Sequence, residues 1–254
     1  MTVFIRLIGD DHKEQSLEAA IAELRQGQQP PTVFFQTPNA FRNISGSPFA
    51  YWASSNLLGV YERTPAFQSA HRSAVFGAST KGDFRFLRLA WELTTDPAAG
   101  WLPLSKGGSF ATYYYDYYLS INWADEGHEL KAYLSAYREA HGWGDQWSAC
   151  LNGISYYRRP ALTWPRRTNG LSCRILPCDC VFGDKGPSAF IQGDSPVALL
   201  ALSAIMNSKS FGFLVALQLA RTELAQSDEV GLIQQTPEPD LTPVDVAALS
   251  AVAL

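Results

Sequence analysis

Between residues 150 and 192 the chain never keeps one pattern for more than a few residues. Four runs of β-type composition, 161–164, 171–176, 180–182 and 189–192, are separated by Pro165, Gly170, Pro177, Gly183, Gly186 and Pro187. Proline cannot donate to a sheet ladder, and glycine weakens a strand interior. Strands here must therefore be short, and any sheet must be assembled from several pieces.

Helical patterns flank this stretch. Residues 13–25 place Leu17, Ala20, Ile21 and Leu24 at i, i+3, i+4 and i+7, and Gly27 stops the pattern before Pro30 and Pro31. Residues 124–140 put Leu130, Tyr133, Leu134 and Tyr137 on one face, and 197–206 and 211–224 read as apolar helices. Thr242 and Pro243 form a helix start, with threonine at the N-cap and proline at the first helical position. Strands are expected at 3–8 and 32–36, and helical turns at 51–60 and 83–93. The tyrosine-rich run 109–123 has strand composition, and 229–239 reads as extended, punctuated by Pro237 and Pro239. Helices and strands do not alternate strictly. The expected fold is α+β, with a mixed, mostly antiparallel twisted sheet and flanking helices. The chain begins almost directly in a strand and ends inside a helix, so both ends are expected to be cut from something longer.

Hydrophobic residues make up 46% of the chain and charged ones 17%, which disfavours disorder and supports a real core. Four cysteines do not make a disulfide framework. Cys173, Cys178 and Cys180 follow a C-x4-C-x-C spacing that lacks the paired C-x2-C of zinc sites, so no metal is expected. No signal-peptide pattern and no apolar run of spanning length is present, and a cytoplasmic chain without a membrane partner is expected. The chain has no G-x-G-x-x-G, no phosphate-loop motif, no H-E-x-x-H and no G-x-S-x-G, so enzymes that require them are excluded.

The net charge of −4 argues against a uniformly basic chain, but the charge is uneven. Residues 146–178 contain no Asp or Glu and five arginines: Arg158, Arg159, Arg166, Arg167 and Arg174. Trp147, Tyr156, Tyr157 and Trp164 lie among them, and six acids but no base follow Arg221. Arginine forks match phosphate oxygens and the guanine edge, and aromatic rings stack on bases. These arginines are expected to share one positive surface, with Lys106 or Lys185 near its edge. The plain alternative is that they are solvated strand positions paired with acids from elsewhere. Lys106-Gly107-Gly108 could offer backbone N–H groups to a phosphate, and Gly183-Asp184-Lys185-Gly186-Pro187 has the chemistry of a tight turn.

Five motifs in order carry a wider resemblance: Gly46-Ser47-Pro48-Phe49-Ala50-Tyr51-Trp52, Trp101-Leu102-Pro103-Leu104-Ser105-Lys106-Gly107-Gly108, Leu162-Thr163-Trp164-Pro165-Arg166-Arg167-Thr168, Phe182-Gly183-Asp184-Lys185-Gly186-Pro187 and Met206-Asn207-Ser208-Lys209. Together they resemble the region after the catalytic core in large single-chain restriction–modification methylases, including the methyltransferases of BREX phage-defence systems. The resemblance implies a target-recognition domain that reads a short asymmetric site on double-stranded DNA. It also implies a separate domain that binds S-adenosylmethionine and methylates adenine N6. That domain's motifs are missing: the only Pro-Pro, Pro30-Pro31, follows Gln29 and precedes Thr32, unlike the Asn-, Asp- or Ser-led motif that clamps a flipped adenine. No catalytic residue, and no cofactor in this chain, is therefore expected.

On this reading residues 1–45 form a connector, 46–240 the recognition domain and 241–254 the start of a C-terminal helix. The DNA-contact candidates are Lys106, Arg158, Arg159, Trp164, Arg166, Arg167, Thr168, Arg174 and Lys185. Further partners would be the methyltransferase core or other defence-system subunits. One rival is a stand-alone protein-binding or inhibitory module without DNA contact. Another is a hydrolase whose tryptophans and tyrosines line a sugar site. DNA binding alone would be strongly salt-dependent.

Overall fold

The computed structural model describes residues 1–44, 46–93, 100–219, 226–227 and 230–253. The chain divides into two compact units, one of Met1–Pro65 with Ala216–Thr222, the other of Ala66–Val215 with Glu223–Leu254.

In the first unit β1 (Thr2–Ile5) pairs antiparallel with β2 (Val33–Gln36), joined through α1 (Lys13–Arg25). Short helices α2 (Ser55–Leu58) and α3 (Val60–Arg63) follow. Ile44, Ala50, Ala53, Leu58 and Leu217 form the core. Phe4 stacks on Tyr51 with ring centroids 4.8 Å apart, and Arg6 lies 4.9 Å over the Trp52 ring. The Gly46–Trp52 motif thus has a packing role in this unit.

The second unit holds β3 (Arg72–Val75), α4 (Asp83–Phe86), β4 (Leu87–Leu89), β5 (Trp101–Ser105), β6 (Leu119–Asn122), α5 (Ala124–Ala140), β7 (Ala161–Thr163), β8 (Arg167–Thr168), β9 (Arg174–Leu176), β10 (Val181–Phe182), β11 (Ser188–Ile191) and α6 (Pro196–Met206). It also holds β12 (Gln226–Ser227), α8 (Val230–Gln235) and α9 (Pro243–Val252), while α7 (Lys209–Leu219) enters it with its first residues. The fold is α+β, with largely antiparallel sheets and flanking helices. In this unit one sheet runs β10-β5-β6-β4, another runs β3-β11-β7-β9, and β8 pairs separately with β12. Only β10 against β5 is parallel among the pairs described.

The sheet β3-β11-β7-β9 is buried on both faces. In β7 Ala161 joins one core and Leu162 the other, and in β11 Phe190 and Ala189 divide the same way. One core sets this face against Leu104, Ile121, Val181 and Phe182 of the first sheet and Leu130 and Leu134 of α5. The other sets the opposite face against Leu199, Leu202 and Met206 of α6 and Ile233 of α8. Two-sided burial explains why these strands read as continuous apolar runs without alternation.

Several expectations need correction. The tyrosine run is not a strand until Leu119; Tyr113 has φ of +66°, which breaks any regular alternation. Of the expected 83–93 helix Asp83–Phe86 is α-helical, the chain then turns into β4, and Ala90–Glu92 forms a separate 3-10 turn. Helix α5 begins with Asp125, Glu126 and Gly127 in the left-handed region, so regular geometry starts after them. Residues 230–235 form a helix where an extended segment was expected. The end of the expected 211–224 helix lies outside the described residues. Thr242 caps α9 in a reciprocal box: Asp245 N–H donates to its hydroxyl, and Thr242 N–H donates to the Asp245 carboxylate. No single helix among the described residues is long and apolar enough to cross a membrane.

Candidate nucleic-acid interface

Strand β7 carries the arginine window from one end of its sheet to the other. Beside its entry, Arg159 donates from Nε and Nη2 to the Asp194 carboxylate at 2.7–3.2 Å, and from Nη2 to the Ile191 carbonyl at 3.1 Å. Its guanidinium also lies over Tyr156 and Phe190. The Asp194 hydrogen bonds hold its pKa above the ordinary arginine value. Arg158 makes an exposed pair with Asp179 at 3.4 Å, a type of contact worth about 0–1 kcal/mol. Both arginines at this end have carboxylate partners.

The other end of β7 is built from loops. Here three of the five sequence motifs meet as three loops. Arg166 N–H donates to the Lys185 carbonyl at 3.0 Å, and Gly183 N–H to the Ser105 carbonyl at 2.8 Å. Thr163 Oγ1 donates within reach of the Gly186 and Pro187 carbonyls, at 3.1 and 3.0 Å, and lies 3.2 Å from Ser105 Oγ. Gly107, at φ of +77°, packs so tightly that an added Cβ would lie 2.5 Å from the Lys185 carbonyl oxygen. A Cβ on Gly186 would lie 2.6 Å from Gly107 N. The glycines are there because the loops share one volume.

Basic side chains ring this junction. Arg167 is exposed, on β8, and Lys185 is 55% exposed and lies 3.4 Å from the carboxylate of its neighbour Asp184. Arg166 is half-buried, with its guanidinium 5.6 Å over the Phe76 ring. Lys106 is ion-paired with Asp83, which Thr80 also contacts. Burial would raise the Asp83 carboxyl, but the Lys106 and Thr80 hydrogen bonds hold it below its ordinary value. Thr168 Oγ1 donates to the Gly170 carbonyl at 2.7 Å.

The single positive surface is therefore corrected. Arg158 and Arg159 lie at the opposite end of β7 from Arg166, Arg167, Lys106 and Lys185. Trp164 and Arg174 are fully buried and present nothing to solvent. Trp164 fills the core beside α6. Arg174 donates to the backbone carbonyls of Gly107 at 2.5 Å and Ser109 at 3.1 Å, and stands 4.1 Å over the Tyr115 ring. Desolvation lowers its pKa from the ordinary arginine value. Its role is to hold the 107–118 loop from beneath. That loop carries an exposed Phe110, a residue that the charge and motif pattern does not single out. The preceding Gly107-Gly108 pair was the available signal.

The glycine turns of this junction close on each other and on Lys185. Among the described residues no group of His, Cys, Asp or Glu is placed to hold a metal ion. Cys150, Cys173 and Cys180 are buried, and burial pushes the Cys180 thiol up to about 12.

No family model matches the chain. It is 26% identical over 226 residues to the adenine-specific methyltransferase BrxX of Escherichia coli O9:H4 (strain HS), covering 85% of this chain and 17% of that protein. It is also 26% identical over 224 residues to the adenine-specific methyltransferase PglX of Lacticaseibacillus casei (strain Zhang), covering 82% and 18%. The chain is thus similar over most of its length to adenine-specific methyltransferases, and it spans less than a fifth of the length of these curated relatives.

Proposed function

We propose that this chain recognises double-stranded DNA for an adenine-N6 methyltransferase of a restriction–modification or phage-defence system. The observation that carries the reading is the meeting of Lys106, Arg166, Arg167 and Lys185 around one loop junction at the exit of β7. Their similarity context supports it, since both relatives are adenine-specific methyltransferases.

The work assigned to the chain is binding, with no bond made or broken. Arg167 and Lys185, the more exposed cations, neutralise phosphates and set the register. On this reading Arg166 and Thr168, beside them, turn from their present contacts to base edges, where an arginine fork suits guanine O6 and N7. S-adenosylmethionine would be bound by a separate methyltransferase domain, which would receive the flipped adenine. A cytoplasmic location follows from DNA as the partner.

The test is DNA binding by the native chain and two double variants, followed by fluorescence anisotropy at several salt concentrations. Arg167→Ala with Lys185→Ala is expected to weaken binding and flatten its salt dependence by about two units of log–log slope. Arg158→Ala with Arg159→Ala, at the other end of β7, is expected to leave affinity nearly unchanged. Equal affinity of the native chain and the Arg167/Lys185 variant at low salt, at unchanged thermal stability, would overturn the assignment. Salt-insensitive capture of a protein partner instead would favour the rival interaction module.

A further inference from the structure

The 107–118 loop is hydrogen-bonded on both sides yet carries an apolar side chain, Phe110, that the core does not use. Phe110 is 55% exposed, and its neighbours Gly108 and Ser109 are exposed too. Both flanks are pinned to the strand beneath. Ala111 N–H donates to Ser172 Oγ at 3.3 Å, Tyr113 N–H to the Cys173 carbonyl at 2.8 Å, and Ile175 N–H to the Tyr113 carbonyl at 3.0 Å. On the other side Arg174 holds the Gly107 and Ser109 carbonyls.

A buried arginine held, among the described residues, by carbonyls and not by a carboxylate is a costly way to fix a loop. It holds the backbone that immediately precedes Phe110. The ring lies against the turn that follows Arg167 and Thr168: a Cβ added to Gly170 would sit 3.8 Å from Phe110 Cε2. Phe110 is thus a fixed, solvent-facing aromatic side chain beside the basic junction.

We propose that Phe110 inserts between base pairs of bound double-stranded DNA and unstacks one step. This rests on the DNA-recognition reading and goes beyond it by naming the side chain that deforms the duplex. The chemistry is complementary. The surrounding cations draw the phosphates in, and an apolar wedge gains contact only where stacked bases part. Pre-ordering matters because a loose loop would lose rotamer and backbone freedom on insertion. A parted step next to the target adenine would also lower the barrier to flipping it out.

The experiment compares two otherwise identical 30-bp duplexes, one fully paired and one with a central abasic site flanked by 2-aminopurine. The native 254-residue chain is expected to bind the interrupted duplex about tenfold more tightly, because the unstacking cost is already met. The 2-aminopurine in an otherwise intact duplex is expected to brighten on binding. Phe110→Ala is expected to lose both effects and keep its salt-dependent affinity for paired DNA, and Phe110→Leu to retain part of both. Circular dichroism and thermal melts confirm that the variants fold. Equal binding to the two duplexes by native and Phe110→Ala chains would overturn the insertion and leave DNA recognition standing. Absence of binding to either duplex by the native chain would overturn both.

Discussion

The Arg174 guanidinium lies 2.5 Å from the Gly107 carbonyl oxygen and is wholly enclosed by protein. Its charge is compensated by carbonyl dipoles and by the face of Tyr115. Arg174→Ala removes these donors, leaves the buried Gly107 carbonyl without this partner and frees the part-buried Ser109 carbonyl. It is expected to cost about 2–4 kcal/mol of folding stability, measurable by urea denaturation. Arg174→Lys is expected to fall between, since a point charge cannot span both carbonyls with a planar fork.

A second buried charge sets a pH dependence. Glu238 is 1% exposed, and its Oε2 lies 3.3 Å from Arg72 Nε without a hydrogen bond. Burial raises its pKa to about 7 against the pull of Arg72, with Asp240 adding to the rise. A carboxyl whose folded value stands above its unfolded one binds its proton more tightly when folded. Its contribution is complete below the ordinary glutamate range and is lost as pH rises through about 7, up to about 3 kcal/mol. Urea midpoints of the native chain should therefore fall more between about pH 5 and pH 8 than those of Glu238→Gln. Parallel curves for the two would refute this.

The interlock of the loops can be probed at a single glycine. Gly107→Ala and Gly142→Ala share a positive φ, +77° and +71°, and so a similar backbone penalty of roughly 1 kcal/mol. The Gly142 Cβ would meet nothing within 4 Å, whereas the Gly107 Cβ would collide with the Lys185 carbonyl. Gly107→Ala should lose at least about 1 kcal/mol more than Gly142→Ala in thermal unfolding, and its DNA affinity should fall with it.

Incubated with labelled S-adenosylmethionine and mixed-sequence DNA, the chain alone is expected to transfer no methyl group. The basis is the missing Pro-Pro clamp. Reproducible adenine labelling above a no-protein control would show the contrary.

Much of the fold was legible where burial is one-sided and local. The 3.6-residue spacing of Leu17, Ala20, Ile21 and Leu24 marked α1, and Thr242–Pro243 marked the start of α9. The short strands around 161–191 were legible because prolines and glycines delimit them. The tyrosine segment misled because aromatic content favours strands, while Tyr113 takes a left-handed backbone and Tyr117 is anchored by its hydroxyl to the Ile175 carbonyl. The segment 229–239 reads as extended, punctuated by Pro237 and Pro239, but both prolines lie beyond the last turn of α8. At the site, sequence proximity grouped the arginines, and the strand between them then carried them to opposite ends. Nothing in one sequence distinguishes Arg174, which faces inward on β9, from Arg167, which faces out on β8.

The shared volume of Gly107, Lys185 and Gly186 ties together segments some eighty residues apart in the chain. Lengthening or enlarging one of them displaces the others, so substitutions there cannot be independent. Their effects should be non-additive, and a change that is harmful in one loop becomes tolerable only with a matching change in its neighbour. Grafting a single loop from a relative would carry over its side chains without their seat. The transferable piece is the trio of loops around the exit of β7.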